Sequence, residues 1–93
     1  MVINIDTAHR FTYGGATVYV FHANKGEGIP MHNHDYSHAT TCMAGKCKYT
    51  CNGKVLIADK TTQPIDLFAG SNHEIEALED GTVFVNVFAE GKY

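Results

Sequence analysis

Turn signals divide the sequence into short segments of β-forming residues, and this division restricts the fold more than any other feature. The segments ATVYVFHA (16–23) and TVFVNVFA (82–89) are rich in β-branched and aromatic residues, which favour strands. Loops that contain glycine adjoin them, with NKGEG at 24–28 and EDG at 79–81. No segment shows sustained helical periodicity, and only AHRF at 8–11 is compatible with a single helical turn.

The remaining segments also favour strands joined by tight turns. Asn52-Gly53 is a strong hairpin signal because both residues accept positive φ. A chain of short strands closes on itself, since closure removes exposed strand edges. We therefore predict an all-β fold for residues 1–93, as a small barrel or two-sheet roll in one compact domain. The other predicted strands are 37–44, 46–51, 54–59, 63–68 and 73–79.

Composition limits the classes of partner. The net charge is −3, and the lysines and arginines do not cluster, so we expect neither nucleic acid nor a membrane surface as partner. No secretory leader or spanning segment is evident.

The cysteines, Cys42, Cys47 and Cys51, are odd in number and form no CxxC pair. We expect reduced thiols in a cytoplasmic protein, with a Cys42–Cys47 disulfide as the alternative.

A cluster of histidines is the main functional signal. His32, His34 and His38 lie within seven residues of one another, and His73 follows in the phrase FAGSNHEIEA. Neutral imidazole is the commonest side-chain metal ligand. In an extended strand His32 and His34 point the same way, His38 has the same parity, and a closed sheet would bring His73 opposite them. We predict that these four bind one metal with open coordination positions; His22 would replace His38 if His38 did not bind.

The spacing of these residues resembles the motifs of the cupins. Gly26, His32, His34, His38 and Gly45 fit the first cupin motif, G-x5-H-x-H-x3,4-E-x6-G, over residues 26–45. The second motif matches in part over residues 70–77, where Gly70 and His73 fit while Phe68 and Ala77 replace the usual proline and asparagine. The resemblance implies a jelly-roll β-barrel with a metal in its mouth, and commonly a homodimer formed through the sheets.

Position 38 departs from the cupin pattern, because histidine stands where glutamate is usual. Four neutral imidazoles leave the full charge on a divalent ion. Magnesium and calcium are then disfavoured, whereas Fe, Mn, Co, Ni, Cu and Zn fit. The more electropositive centre should favour a small anionic or enolisable ligand that chelates the metal.

Several reactions are compatible with such a centre. We expect an oxidoreductase, similar to a dioxygenase, that uses O₂ and a small anionic substrate. The alternative is a non-redox isomerase or lyase that acts on a sugar or hydroxy acid. A third possibility is a non-catalytic protein that binds a metal or a small molecule.

Further residues are candidates for the site. Tyr36 shares parity with the histidines and could orient the substrate or relay a proton. Met31, Thr40 and Cys42 are candidates for the substrate pocket, because Met31 precedes His32 and the other two share parity with His38.

The last predicted strand gives a hint of dimerisation. Phe84 and Phe88 alternate with Val83, Val85 and Val87, a pattern typical of a strand that is buried on both faces. We therefore expect a homodimer in which this strand contacts a second subunit.

Overall fold

The structure is a computed structural model in which residues 8–89 are described. All regular elements in this range are β-strands, so it contains no helix long and apolar enough to span a membrane. The strands are β1 (His9–Tyr13), β2 (Ala16–Ala23), β3 (Gly28–His32), β4 (His38–Ala44), β5 (Cys47–Cys51), β6 (Lys54–Ala58), β7 (Ile65–Leu67), β8 (His73–Ala77) and β9 (Thr82–Ala89).

The strands form two antiparallel sheets. One sheet has five strands in the order β1-β2-β9-β4-β7, and the other has four in the order β3-β8-β5-β6. Within residues 8–89 no ladder joins the two sheets, so the structure is a two-sheet jelly roll rather than one continuously hydrogen-bonded barrel. The all-β jelly-roll prediction is confirmed.

The predicted strands agree well with the observed ones, with one clear exception. β2 and β9 have the predicted bounds, whereas β7 is shorter than 63–68 because Pro64 lacks an N–H group for a ladder. The helical turn considered for 8–11 is wrong. Residues 9–11 belong to β1, which pairs with β2 from His9↔Val20 to Tyr13↔Ala16.

One turn and one close contact fix the chain path near the site. Asn52 and Gly53 have φ of 49° and 83°, as the predicted hairpin between β5 and β6 requires. Gly28 lies against β8, where a Cβ atom would overlap the carbonyl oxygen of Ile75 and lie 2.9 Å from Cα of Glu76. Only glycine allows β3 to approach β8 this closely.

The hydrophobic core lies between the sheets and supports one end of the site. Phe21 and Phe84 stack with ring centroids 4.8 Å apart, and Tyr19 meets the edge of Phe88 at 5.9 Å. Alternate residues of β2 and β9 are buried, while the intervening residues of β9 are half-buried. The alternation follows from the two-residue period of a strand.

The cysteines are free thiols in the structure. Cys42 and Cys47 are buried in the core, and Cys51 is half-buried. Burial is the main cause that raises the pKa of Cys47 to about 12, and the neighbouring Cys42 adds to it. The Cys42 thiol donates to the carbonyl of Ala44 at 3.4 Å.

Candidate metal centre

Four imidazoles meet at one end of the jelly roll, and each is carried by a different strand or loop. His32 ends β3 and His73 begins β8, where the two residues are direct partners in the ladder. His38 begins β4 in the opposite sheet, and His34 lies in the bend between β3 and β4. The two sheets and one loop therefore each contribute to the cluster.

The ligand-atom distances single out three of these rings, although neighbouring ring centroids are 4.4–5.4 Å apart throughout the cluster, with His38 included. The ligand atoms of His32, His34 and His73 lie within 4.8 Å of one another. The ring centroid of His38 lies 5.0 Å from that of His34 and 5.4 Å from that of His73. The three close histidines form a group that could hold a metal; the predicted role of His38 as fourth ligand stays a prediction.

Each imidazole uses Nδ1 for a local hydrogen bond. Nδ1 of His32 and Nδ1 of His34 donate to the backbone carbonyls of Pro30 and Tyr36, both at 2.8 Å. Nδ1 of His38 donates to the carbonyl of Ala39 at 3.3 Å. A carbonyl only accepts hydrogen bonds, so the proton of each ring must be on Nδ1.

His73 has a hydroxyl partner, the side chain of Ser71, in addition to the backbone of the same residue. The Ser71 hydroxyl donates to the carbonyl of Phe68 at 2.6 Å, which commits its proton. Its oxygen is thus left to accept from Nδ1 of His73, 3.3 Å away. The same tautomer results, with the Nε2 lone pair available for a metal.

The Nε2 atoms are suited to metal binding. Those of His34, His38 and His73 are buried and have no hydrogen-bond partner in the described part of the chain. Buried polar atoms without partners are uncommon and call for an explanation. A metal ion fits these residues, because neutral imidazole with Nδ1–H bound to an oxygen is the usual form of a histidine ligand.

Burial also keeps two of these rings neutral. It lowers the pKa of His38 from 6.5 to about 4, and the neighbouring histidines add to the effect. The pKa of His73 is lowered to about 4 for the same main cause. Both rings are thus uncharged at pH 7, the protonation state that metal binding needs.

A cavity of about 240 Å³ opens onto the cluster. Tyr36, the predicted catalytic residue, lies on its wall, where its ring stacks on that of His34 at 4.2 Å. The lining contains no carboxylate, lysine or arginine from residues 8–89. The lining residues are Ile29, His32, Asn33, His34, Tyr36, His38, Asn86 and Phe88.

The structure places the three predicted pocket residues away from this lining. The side chain of Met31 is 47% exposed at the surface. Thr40 is buried deeper, where its hydroxyl donates to Tyr49 Oη at 3.3 Å, and Cys42 lies in the core. His22 is exposed on β2 and takes no part in the histidine cluster.

Sequence reasoning missed four of the lining residues, namely Ile29, Asn33, Asn86 and Phe88. One of them carried a signal. Asn86 is the single amide in the otherwise apolar stretch VFVNVFA, and its parity matches the buried phenylalanines of β9.

Comparisons with known proteins identify the fold. No family model matches the chain, and no curated protein matches it either. The structure of KdgF from a Halomonas species aligns with a TM-score of 0.82 and 11% identity, covering 91% of this chain and 78% of that one. A cupin 2 domain-containing protein from Halorhodospira halophila aligns with a TM-score of 0.81 and 10% identity, covering 92% of this chain and 64% of that one.

The chain has a cupin fold. A conserved protein with a double-stranded β-helix domain from Klebsiella pneumoniae agrees, with a TM-score of 0.73 and 25% identity over 91% of this chain and 74% of that one. The resemblance seen in the sequence motifs is therefore confirmed at the level of fold. The histidine cluster lies on the residues that matched those motifs, and it gives this cupin fold a site that could hold a metal.

Proposed function

We propose that the chain is a metal-dependent oxidoreductase that uses O₂ and a small anionic or enolisable substrate. His32, His34, His38 and His73 would hold one divalent transition metal. The observation that carries the proposal is the shared tautomer, since every Nδ1 is committed to an oxygen and the buried Nε2 atoms lack protein partners. When bound, such a metal supplies electron transfer to O₂ and Lewis acidity toward the substrate.

The charge of the cavity supports an anionic substrate. The lining contributes no negative charge from residues 8–89, so four neutral imidazoles leave the ion's charge uncompensated. An anionic ligand supplies the missing negative charge at short range, where the low dielectric strengthens the attraction. Fe, Mn, Co, Ni, Cu and Zn all suit imidazole ligands.

The lining also supports redox chemistry over the non-redox alternative. An isomerase or lyase needs a group that accepts a proton from carbon, and a carboxylate often has that role. Here the side chains beside the histidines are amides, apolar groups and the phenol of Tyr36. Tyr36 would orient the substrate, while Phe88 and Ile29 would exclude water from the site.

Metal reconstitution with oxygen measurements tests this proposal. The metal-free protein is loaded separately with Fe(II), Mn(II), Co(II), Cu(II) and Zn(II). Oxygen consumption is then recorded with a panel of 2-oxo acids, 2-hydroxy acids and enolisable diketones. We expect uptake with at least one redox-active metal and none with zinc. Metal binding without uptake for every combination would overturn the proposed oxidoreductase in favour of a Lewis acid enzyme or a binding protein.

Two substitutions test the ligand set and the charge argument. His38→Glu adds one negative charge, so we expect weaker binding of anionic ligands and a changed metal preference. His22→Ala is the matched control, because it removes an exposed histidine outside the cluster. If His38→Glu binds the same metals and anions as the parent, the charge argument is wrong.

We also propose that a second copy of the chain covers the outer face of the five-stranded sheet. Phe11 and Tyr13 are 44% and 80% exposed on β1. The ladder register places Phe11 opposite Val18, which pairs with Val87, and places Tyr13 opposite Ala16. Such an apolar face is typical of an interaction site. Light scattering should give the mass of a dimer, and Val87→Glu should give a monomer; a wild-type mass of one chain would contradict the proposal.

A further inference from the structure

Asn86 is a buried amide whose oxygen has no hydrogen-bond partner among residues 8–89. Its side chain is 4% exposed and lines the cavity beside the histidine cluster. Oδ1 is inaccessible to solvent and accepts no hydrogen bond from residues 8–89. A strand position of this kind normally holds an apolar residue, because an unpaired buried amide destabilises the fold.

The hydroxyl of the ladder partner on β4 does not satisfy this amide oxygen. Thr40 is the ladder partner of Asn86 on β4, but its hydroxyl proton is donated to Tyr49 Oη. On the other side, the ladder partner on β2 is Tyr19. Oδ1 of Asn86 is thus unpaired in a side chain that lines the cavity, and a small turn of the amide would present it to a donor bound there.

The cavity limits the size and chemistry of such a donor. Its volume of about 240 Å³ equals that of about eight water molecules at roughly 30 Å³ each. A molecule with a similar number of non-hydrogen atoms would reach from the imidazoles to Asn86. A neutral amide pairs best with an uncharged donor such as a hydroxyl, because nothing in the lining would neutralise a second charge.

We propose that Asn86 determines specificity by binding a hydroxyl group of the substrate. This inference rests on the proposed function, since the anionic end of the same molecule would meet the metal. The substrate class becomes the small hydroxylated 2-oxo or 2-hydroxy acids, rather than the alkyl acids of the same size. Rejection of the alkyl acids follows because they leave the buried amide unpaired.

Matched pairs of 2-oxo acids test this role. In the first pair, 3-hydroxypyruvate and 2-oxobutyrate, a hydroxyl replaces a methyl group. The second pair, 4-hydroxy-2-oxobutyrate and 2-oxopentanoate, makes the same exchange one carbon further out. Binding to the cobalt-loaded protein is followed by the visible spectrum. We expect the hydroxylated member of at least one pair to bind roughly five- to tenfold more tightly, the ratio that one net hydrogen bond supplies.

Two variants separate recognition from folding. Asn86→Leu keeps the volume and removes the amide, so we expect the preference to vanish while the alkyl acids bind as before. Thr17→Val is the control, because Oγ1 of Thr17 is also buried without a partner in the described residues but does not line the cavity. Both variants should melt at or above the wild-type temperature, since each removes an unpaired buried polar group.

The outcomes distinguish this inference from the proposed function. A wild-type protein that binds cobalt and all four acids without preference would overturn the role of Asn86 alone. A preference that persists in Asn86→Leu would do the same. A wild-type protein that binds neither cobalt nor any of the acids would overturn the proposed metal site, and the role of Asn86 with it.

Discussion

Ser71 should control the metal affinity of His73 without touching the metal. Its hydroxyl accepts from Nδ1 of His73 at 3.3 Å and donates to the carbonyl of Phe68. The bond fixes the tautomer and the orientation of the ring. Ser71→Ala removes this bond and leaves the backbone of residue 71 as a partner of the ring, so the imidazole is held less firmly in one orientation and one tautomer.

The size of the effect follows from this geometry. Loss of a hydrogen bond to a histidine ligand typically weakens metal binding by about 10–100-fold. The Ser71–His73 distance of 3.3 Å is long for such a bond, so we expect the lower end, about tenfold or ~1.4 kcal/mol. Loss of the bond to Phe68 should also destabilise the fold by about 1 kcal/mol, or ~4–8 °C in melting temperature.

Competition with a chromophoric chelator measures this affinity for Co(II) and Zn(II). Ser37→Ala is the control, because the hydroxyl of Ser37 accepts from the Ala69 N–H at 2.9 Å and contacts no imidazole. It should lose stability but keep its metal affinity. If Ser71→Ala melts at a lower temperature yet binds both metals within twofold of the parent, the hydroxyl does not orient His73 and the reasoning fails.

Three further predictions concern packing, thiol access and pH. Gly28→Ala should weaken metal binding at least tenfold, because its Cβ would push β3 away from β8 and separate His32 from His73. The control is Gly81→Ala, which is strained at φ 73° and lies at the opposite end of β9 from Phe88, so it should lower the melting temperature and leave metal affinity unchanged. Iodoacetamide at pH 8 should label only Cys51 in the folded protein, because Cys42 and Cys47 are buried and burial raises the pKa of Cys47 to about 12. Mass spectrometry identifies the labelled residue, and rapid labelling of Cys47 would contradict its burial. In metal-free protein, the pKa of His38 and His73 is about 4 in the folded state against 6.5 in the unfolded chain. The unfolded chain therefore binds more protons as the pH falls, so the free energy of unfolding should be highest above pH 6.5 and should decrease toward pH 4, by at most about 3 kcal/mol for each histidine. A urea midpoint that does not change between pH 7 and pH 4.5 would refute this.

Local patterns in the sequence were sufficient to predict most strands. β2 and β9 could be located to the residue, because β-branched and aromatic residues in them alternate between strong turn signals. β1 could not be located in this way, because its residues HRFTY are all exposed and the strand has no buried face to create an alternating pattern. Its strand conformation depends on pairing with β2 across the turn at Gly14-Gly15.

The histidines come together for a partly different reason than the one that suggested their convergence. Strand parity placed His32 and His34 on one face, but β3 ends at His32 and His34 lies in a bend. The rings are oriented instead by the backbone carbonyls of Pro30 and Tyr36. Convergence therefore depends on where those carbonyls point, which no residue pattern records.

By itself the sequence determined the strand segments, the jelly-roll class and the histidines that meet, because these depend on local residue preferences and on spacing along the chain. The tertiary structure alone decided what surrounds them. Asn86 and Phe88 come from β9, more than 45 residues beyond the last histidine of the first motif, and reach the cavity through the β4–β9 register that pairs Thr40 with Asn86. Register is a collective result of packing two sheets, and shifting it by one residue would turn Asn86 to the opposite face.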